Sequence, residues 1–240
     1  MRVDPDGLAN QEPNAPALSV IVPAFNEERQ IRDCLSSIVA SSLCRTAIEL
    51  IVVNNNSTDE TAAIARQYAD KVIDCSVQGA YEARNVGAAT ASADVLAFVD
   101  ADCLVSRTLL ADSVSAVDGG FVGGTCRKVP DNKSIYHRFI WLSYDFVDRL
   151  WMATVKRPYN FFAAFCFVSR SCFHSIGGFE IAKGVNSDHY FGRRLAECGP
   201  VAYLTSAALT FSVRRLARVG YGTYWMRTKM KRHNDYPPVR

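Results

Sequence analysis

A chain of 240 residues with 49% hydrophobic residues, 21% charged residues and a net charge of +3 can bury a full core, which excludes wholesale disorder. No run approaches the eighteen or so apolar residues of a membrane-spanning helix, the longest candidate being Phe161 to Val168, and the N-terminus shows no apolar signal core. The eight cysteines form neither a C-x-x-C pair nor a tight His/Cys cluster, which excludes a zinc ribbon and predicts reduced, mostly buried thiols in a cytoplasmic protein.

Residues 1 to 17 are polar, contain Pro5, Pro13 and Pro16, and read as a disordered leader; the folded domain is expected over 18 to 213. Leu18 to Val22 is a short buried strand, Ile31, Leu35 and Ile38 mark one face of a helix ending near Ala40, and Ile48 to Val53 is the second strand. Ser57-Thr58-Asp59-Glu60 has the spacing of a capping box, so a helix is predicted from there to about Ala69. Lys71 to Cys75 reads as a brief strand, Ala80 to Ala91 as a helix and Val95 to Val99 as a strand. Ser106 is expected to cap the next helix, whose buried face is Leu109, Leu110, Val114 and Val117. Phe121 to Cys126 reads as a strand. Ile135, Phe139, Leu142, Phe146 and Leu150 trace an amphipathic helix whose apolar face is expected in the core. Phe161 to Ser169 reads as a strand, Gly177-Gly178 as a turn and Asp188 to Cys198 as a helix. This alternation predicts an α/β fold with a mostly parallel central sheet flanked by helices.

Arg214 to Arg240 holds eight basic residues against Asp235 alone, a balance of +7 that leaves −4 for residues 1 to 213. Tyr221, Tyr224, Trp225 and Met230 interleave with these cations, a pattern suited to peripheral contact with an anionic membrane at its inner face, or to a solvated helix. No nucleic-acid module accompanies the tail.

Asp100-Ala101-Asp102 closes the apolar run Val95 to Val99. Residues two apart in an extended segment point the same way, so both carboxylates are expected to converge beyond the sheet. Such a pair suits Mg²⁺ or Mn²⁺, bound through one or two carboxylates together with substrate phosphates. The plainer alternative is a pair of aspartates capping the following helix. Open α/β sheets bind ligands at the carboxyl ends of their strands, and the first, second and fourth strands all end in polar motifs. Pro23, Ala24 and Phe25 offer backbone groups and an aromatic edge to a nucleobase, and Asn54, Asn55 and Asn56 offer amides to a base and ribose. Arg84 suits a phosphate or an aspartate of the same cleft.

Four segments in this order, Val20-Ile21-Val22-Pro23-Ala24-Phe25-Asn26-Glu27, Val52-Val53-Asn54-Asn55-Asn56-Ser57-Thr58-Asp59, Ala83-Arg84-Asn85-Val86-Gly87 and Phe98-Val99-Asp100-Ala101-Asp102, resemble the donor half of family 2 glycosyltransferases with the GT-A fold. The likeness continues more weakly through Arg170, Gly177-Gly178-Phe179, Asp188 and Arg194-Leu195. It implies transfer of one sugar from a nucleotide-diphosphate donor to an acceptor hydroxyl of a glycan or lipid-linked carrier, with inversion. It further implies Asp188 as the base, a divalent cation at Asp102 helped by Asp100, and donor contacts from Pro23, Ala24, Phe25, Glu27, Asn54, Asn55, Asn56, Arg84 and Ala101. Asn54 stands where the family often has an Asp that contacts uracil, so the donor is of UDP or GDP type with the base open. Ser187 stands where the family's acidic pair usually has Glu. The Gln-x-x-Arg-Trp motif of processive synthases is absent, which favours transfer of a single sugar. His137, His174 and His189 lack metal-ligand spacing, whereas His233 in the tail suits a place near the diphosphate. A non-catalytic nucleotide-sugar-binding relative is the alternative; a nucleotidyltransferase is disfavoured because no Gly-rich loop follows the first strand.

Overall fold

The computed structural model describes residues 15–132, 139–143, 145–147, 149–150, 164–181 and 187–214. Residues 1–14 of the leader, nearly all of the basic tail with His233, and Ile135 and His137 lie outside the described residues. In chain order the elements are β1 (Leu18–Ala24), α1 (Ile31–Val39), β2 (Ile48–Asn54), α2 (Thr61–Ala65), β3 (Lys71–Asp74), α3 (Ala80–Thr90), β4 (Val95–Val99), β5 (Cys103–Val105), α4 (Leu109–Asp118) and β6 (Gly123–Pro130). The helical residues within 139–150, here α5, follow, and then β7 (Phe165–Ser169), α6 (Arg170–Ser175), α7 (Ser187–Cys198) and β8 (Val201–Phe211).

One eight-stranded sheet runs in the order β3-β2-β1-β4-β7-β6-β8-β5. The half built from β1 to β4 is parallel, as the alternation of strands and helices predicts, and β8 adds a parallel pairing with β6. β7 runs antiparallel between β4 and β6, and β5 runs antiparallel to β8. Successive β1 residues serve opposite faces, Val20 and Val22 one core and Ile21 the other. The first face is covered by Ile31, Leu35 and Ile38 of α1 and Leu109 and Leu110 of α4, the second by Ala83 and Ala88 of α3, Phe173 of α6 and Phe191 and Leu195 of α7. Each fully buried Leu, Ile or Phe side chain contributes about 1.5–3 kcal/mol. α3 lies especially close to the sheet, since a Cβ on Gly87 would meet Ile21 Cγ2 at 2.4 Å.

Several sequence expectations are corrected. The capping box does not form: Ser57 Oγ accepts from the Asn26 N–H, the N-cap position of α2 is Glu60 with no side-chain cap, Asp59 accepts the Thr61 N–H, and the helix spans only Thr61–Ala65. Ser106 Oγ accepts from the Ala208 N–H and serves the sheet rather than α4. β5 and β8 have no clear sequence signal, because β5 is three residues long and the small residues of β8 are interrupted by a bulge opposite Cys126/Arg127. The apolar face of α5 is not core: Phe139, Leu142, Phe146 and Leu150 are all exposed.

At the end of the sheet away from the strand carboxyl ends, buried Glu49 fastens three elements. Its carboxylate accepts from Ser19 Oγ and the Ser92 N–H and pairs with Lys71 Nζ at 2.7 Å. Burial opposes its charge, but these donors outweigh it and hold the carboxyl at about 2. A folded-state value below the ordinary 4.5 stabilises the protein above that pH, and the contribution fades as pH falls toward 2. Glu49→Gln is expected to lower unfolding free energy at pH 7 by about 2–3 kcal/mol and to flatten the acid limb of stability against pH, read by urea unfolding across that range.

Candidate active site at the carboxyl ends of β1, β2 and β4

β1 and β2 pair in parallel with Ala24 opposite Asn54, so the turns that follow them meet. Asn26, at φ 52°, accepts the Thr58 N–H on Oδ1 at 2.9 Å, the Glu27 N–H donates to Thr61 Oγ1 at 2.8 Å, and the Glu28 N–H donates to Asp59. Pro23 and Phe25 are half-buried on either side of buried Ala24 and border the cleft. The Glu27 carboxylate is 4% exposed and accepts from Arg214 Nη2 at 2.7 and 3.0 Å. A carboxylate this deep needs a cation, and Arg214 supplies it. Sequence reading counts Arg214 only as tail charge, because a partner 187 positions away leaves no local signal.

The three asparagines divide their roles. Asn54 donates to Asp74 Oδ1 at 2.7 Å and accepts the Ser57 N–H at 3.2 Å. The Asn55 amide turns inward: it donates to the Cys75 and Val77 carbonyls and accepts from the Gly79 N–H, shaping the loop into α3. Asn56, at φ 65°, stands exposed at the rim and donates to the Ser76 carbonyl.

β4 ends at Val99, and Asp100 to Asp102 form a turn closed by the Cys103 N–H donating to the Asp100 carbonyl at 3.0 Å. Strand alternation therefore does not aim the two carboxylates; the turn does, with buried Ala101 beneath it. Asp100 pairs with Arg84, which is 2% exposed. Cys34 and Cys103 floor the turn; burial, reinforced by the two aspartates, pushes both thiols up, so they stay neutral. Among the described residues no three His, Cys, Asp or Glu side chains lie close enough to hold a metal by themselves. The donor set, half-buried Asp102 beside an Asp100 already paired with Arg84, fits Mg²⁺ or Mn²⁺, which complete their shells with water and substrate phosphates, and does not fit a closed zinc site.

Tyr81, Arg84 and Asn85 share one face of α3, as residues three and four apart must. The Arg84 guanidinium sits 5.2 Å from the Tyr81 ring centroid and 5.6 Å from that of Phe179. Asn85 grips the Phe179 backbone twice, donating to its carbonyl at 2.8 Å and accepting its N–H at 3.0 Å. The chain reaches this clamp through Gly177 and Gly178 at φ 75° and 68°, and a Cβ on Gly178 would meet Asn85 Oδ1 at 2.8 Å, so glycine is required there. Phe179 stacks on Phe191 of α7 at 4.4 Å, and Ser187 Oγ donates to the Glu180 carbonyl at 2.8 Å. Where sequence comparison finds a missing acidic contact at Ser187, its hydroxyl instead ties down the start of α7. Asp188 sits in the first turn of α7, where the helix dipole favours a carboxylate. Burial, then the Asp188 carboxylate and more weakly that of Asp100, push the Tyr81 hydroxyl up, so Tyr81 lies within electrostatic reach of both acids. The result is an anionic turn with a paired cation on one side and the Asp188 carboxylate at the start of α7 on the other.

The glycosyl transferase family 2 model matches residues 19–177. The glycosyltransferase AglE of Haloferax volcanii is 36% identical over 118 residues, 45% of this chain and 39% of that protein. The probable glycosyltransferase YdaM of Bacillus subtilis is 27% identical over 92% of this chain and 56% of its own length. The chain thus spans little more than half of YdaM and less of AglE. Among solved structures, TarS residues 1–349 of Staphylococcus aureus in complex with UDP-GlcNAc overlay with a TM-score of 0.64 at 19% identity, covering 82% of this chain and 58% of that one. The mannosyltransferase PcManGT of Pyrobaculum calidifontis, in complex with GDP-Man and Mn²⁺, overlays with a TM-score of 0.71 at 22% identity, covering 93% and 66%. These overlays show the GT-A type of mixed α/β fold. The chain belongs to glycosyl transferase family 2.

Proposed function

We propose that the chain transfers a single sugar from a nucleoside-diphosphate sugar to an acceptor hydroxyl, with inversion at the anomeric carbon. The observation that carries this reading is the pairing of the Asp100–Asp102 turn with Asp188 across Tyr81 and Arg84. Asp188 accepts the proton as the acceptor oxygen bonds to the anomeric carbon, and the bond to the diphosphate oxygen breaks on the opposite face. Asp102 and Asp100 would hold Mg²⁺ or Mn²⁺, which supplies charge neutralisation for the departing diphosphate. The turn after β1, with Pro23, Ala24, Phe25 and Glu27, and the rim at Asn54 and Asn56 receive the nucleoside. TarS, solved with UDP-GlcNAc, and PcManGT, solved with GDP-Man and Mn²⁺, support a UDP or GDP donor. A glycan or lipid-linked carrier presents the hydroxyl. The test is a panel of sugar nucleotides with Mg²⁺ or Mn²⁺. Release of free nucleoside diphosphate from one donor is expected; pyrophosphate release from a nucleoside triphosphate would instead indicate nucleotidyl transfer.

Asn85 is a positioning residue in this account, because its clamp on Phe179 sets α7 and so Asp188. Asn85→Ala is expected to lower kcat by roughly tenfold and leave the donor KM near its original value, whereas a purely structural role would move both with the folded fraction.

A further inference from the structure

Half of the ten exposed large apolar side chains among the described residues lie on α5: Phe139 (70% exposed), Leu142 (61%), Phe146 (67%), Val147 (46%) and Leu150 (54%). Spacings of three and four residues place Phe139, Leu142, Phe146 and Leu150 in one stripe along the helix. The opposite face is fastened inward. Trp141 packs edge-on against Phe211 of β8 at 4.6 Å, and the Tyr203 hydroxyl donates to the Asp145 carboxylate. The helix cannot roll its stripe into the core without breaking both contacts, so the stripe is presented to the surroundings. Exposed apolar side chains concentrated in this way mark an interaction surface.

The charges around the stripe say what it meets. Arg127 and Lys128 of β6 line a shallow recess with Trp141, Leu142 and Asp145, and exposed Arg149 rises from α5 itself, 3.9 Å from Asp145. Phe211, on which Trp141 rests, lies three residues before Arg214, where the segment carrying +7 begins. An apolar helix face with Arg and Lys nearby is complementary to an anionic lipid surface, whose acyl boundary takes the apolar side chains while its headgroups take the cations. We propose that α5 is a membrane-docking helix that seats Phe139, Leu142, Phe146 and Leu150 in the interfacial layer of an anionic bilayer, with Arg127, Lys128 and Arg149 at headgroup level. The proposal stands independently of the transfer chemistry. Together with it, the docked helix brings the cleft to acceptors held at the bilayer.

The test is co-sedimentation of the full chain with vesicles of equal phosphatidylglycerol and phosphatidylcholine, compared with phosphatidylcholine alone, and it needs no sugar nucleotide. The intact chain is expected to partition onto the anionic vesicles at low salt. Leu142→Glu combined with Phe146→Glu should reduce that partition by roughly tenfold or more, because charge replaces two inserted side chains. Thermal unfolding of the double variant should match the parent, since both side chains are exposed. In an otherwise unchanged chain, Leu142→Trp should show a blue-shifted emission on anionic vesicles. Three results would overturn the proposal: no partition at low salt, equal partition of the double variant, which would leave the basic tail acting by charge alone, or a concentration-dependent dimer that the double substitution breaks.

Discussion

Asp188→Asn is expected to slow sugar transfer by roughly a hundredfold or more while leaving donor affinity unchanged, the scale of a lost general base. The amide keeps the shape of the side chain and the contacts of the first turn of α7, but it cannot take the acceptor proton. In the proposed mechanism the carboxylate must be ionised to take that proton, and the helix start favours its charge; burial and the two acids push the pKa of the neighbouring Tyr81 hydroxyl up, so that hydroxyl stays protonated. The fold is set by other contacts, the Phe179–Phe191 stack and the Ser187 bond to Glu180, so the variant should unfold at nearly the same temperature. Single-turnover rates and donor titrations on parent and variant check this together. Near-normal turnover would reduce Asp188 to a helix cap and direct attention to Glu180.

The first half of the fold was legible because its signals are local. Continuous apolar runs mark β1, β2 and β4, and the motifs at their ends lie next to one another in space as parallel strands require. The second half was not, because its determinants are long-range. β8 finds its place through pairing with both β6 and β5, and its own sequence of small residues carries no strong alternation. The same distinction holds within the site. Asp100, Asp102 and Arg84 announce themselves by residue type and order, and the structure pairs Arg84 with an aspartate rather than leaving it open to a phosphate. The inward turn of Asn55, the grip of Asn85 on Phe179 and the union of Glu27 with Arg214 depend on chain segments distant in sequence. The helix pattern of α5 was equally plain, but periodicity shows only that a face is apolar; the anchoring of Trp141 and Asp145 shows which side is held.

The proposed metal-dependent donor site rests on the Asp100–Asp102 turn. Asp100 is bound to Arg84, and in the proposed function Asp102, helped by Asp100, would hold a divalent cation that supplies charge neutralisation for the diphosphate. Removing it leaves the phosphates facing a carboxylate turn without compensation, and Asp102→Ala is expected to weaken nucleoside-diphosphate binding by roughly a hundredfold or more in the presence of Mn²⁺. The buried floor of Cys34, Ala101 and Cys103 is untouched by the change, so the protein should remain folded. The most direct measurement is calorimetric titration of UDP and GDP into the parent protein with Mn²⁺ and with a chelator, repeated on Asp102→Ala. Tight binding of one nucleotide is expected to the parent with Mn²⁺ only, with its loss in the other three conditions; equal affinity in all four would contradict the metal-dependent donor site.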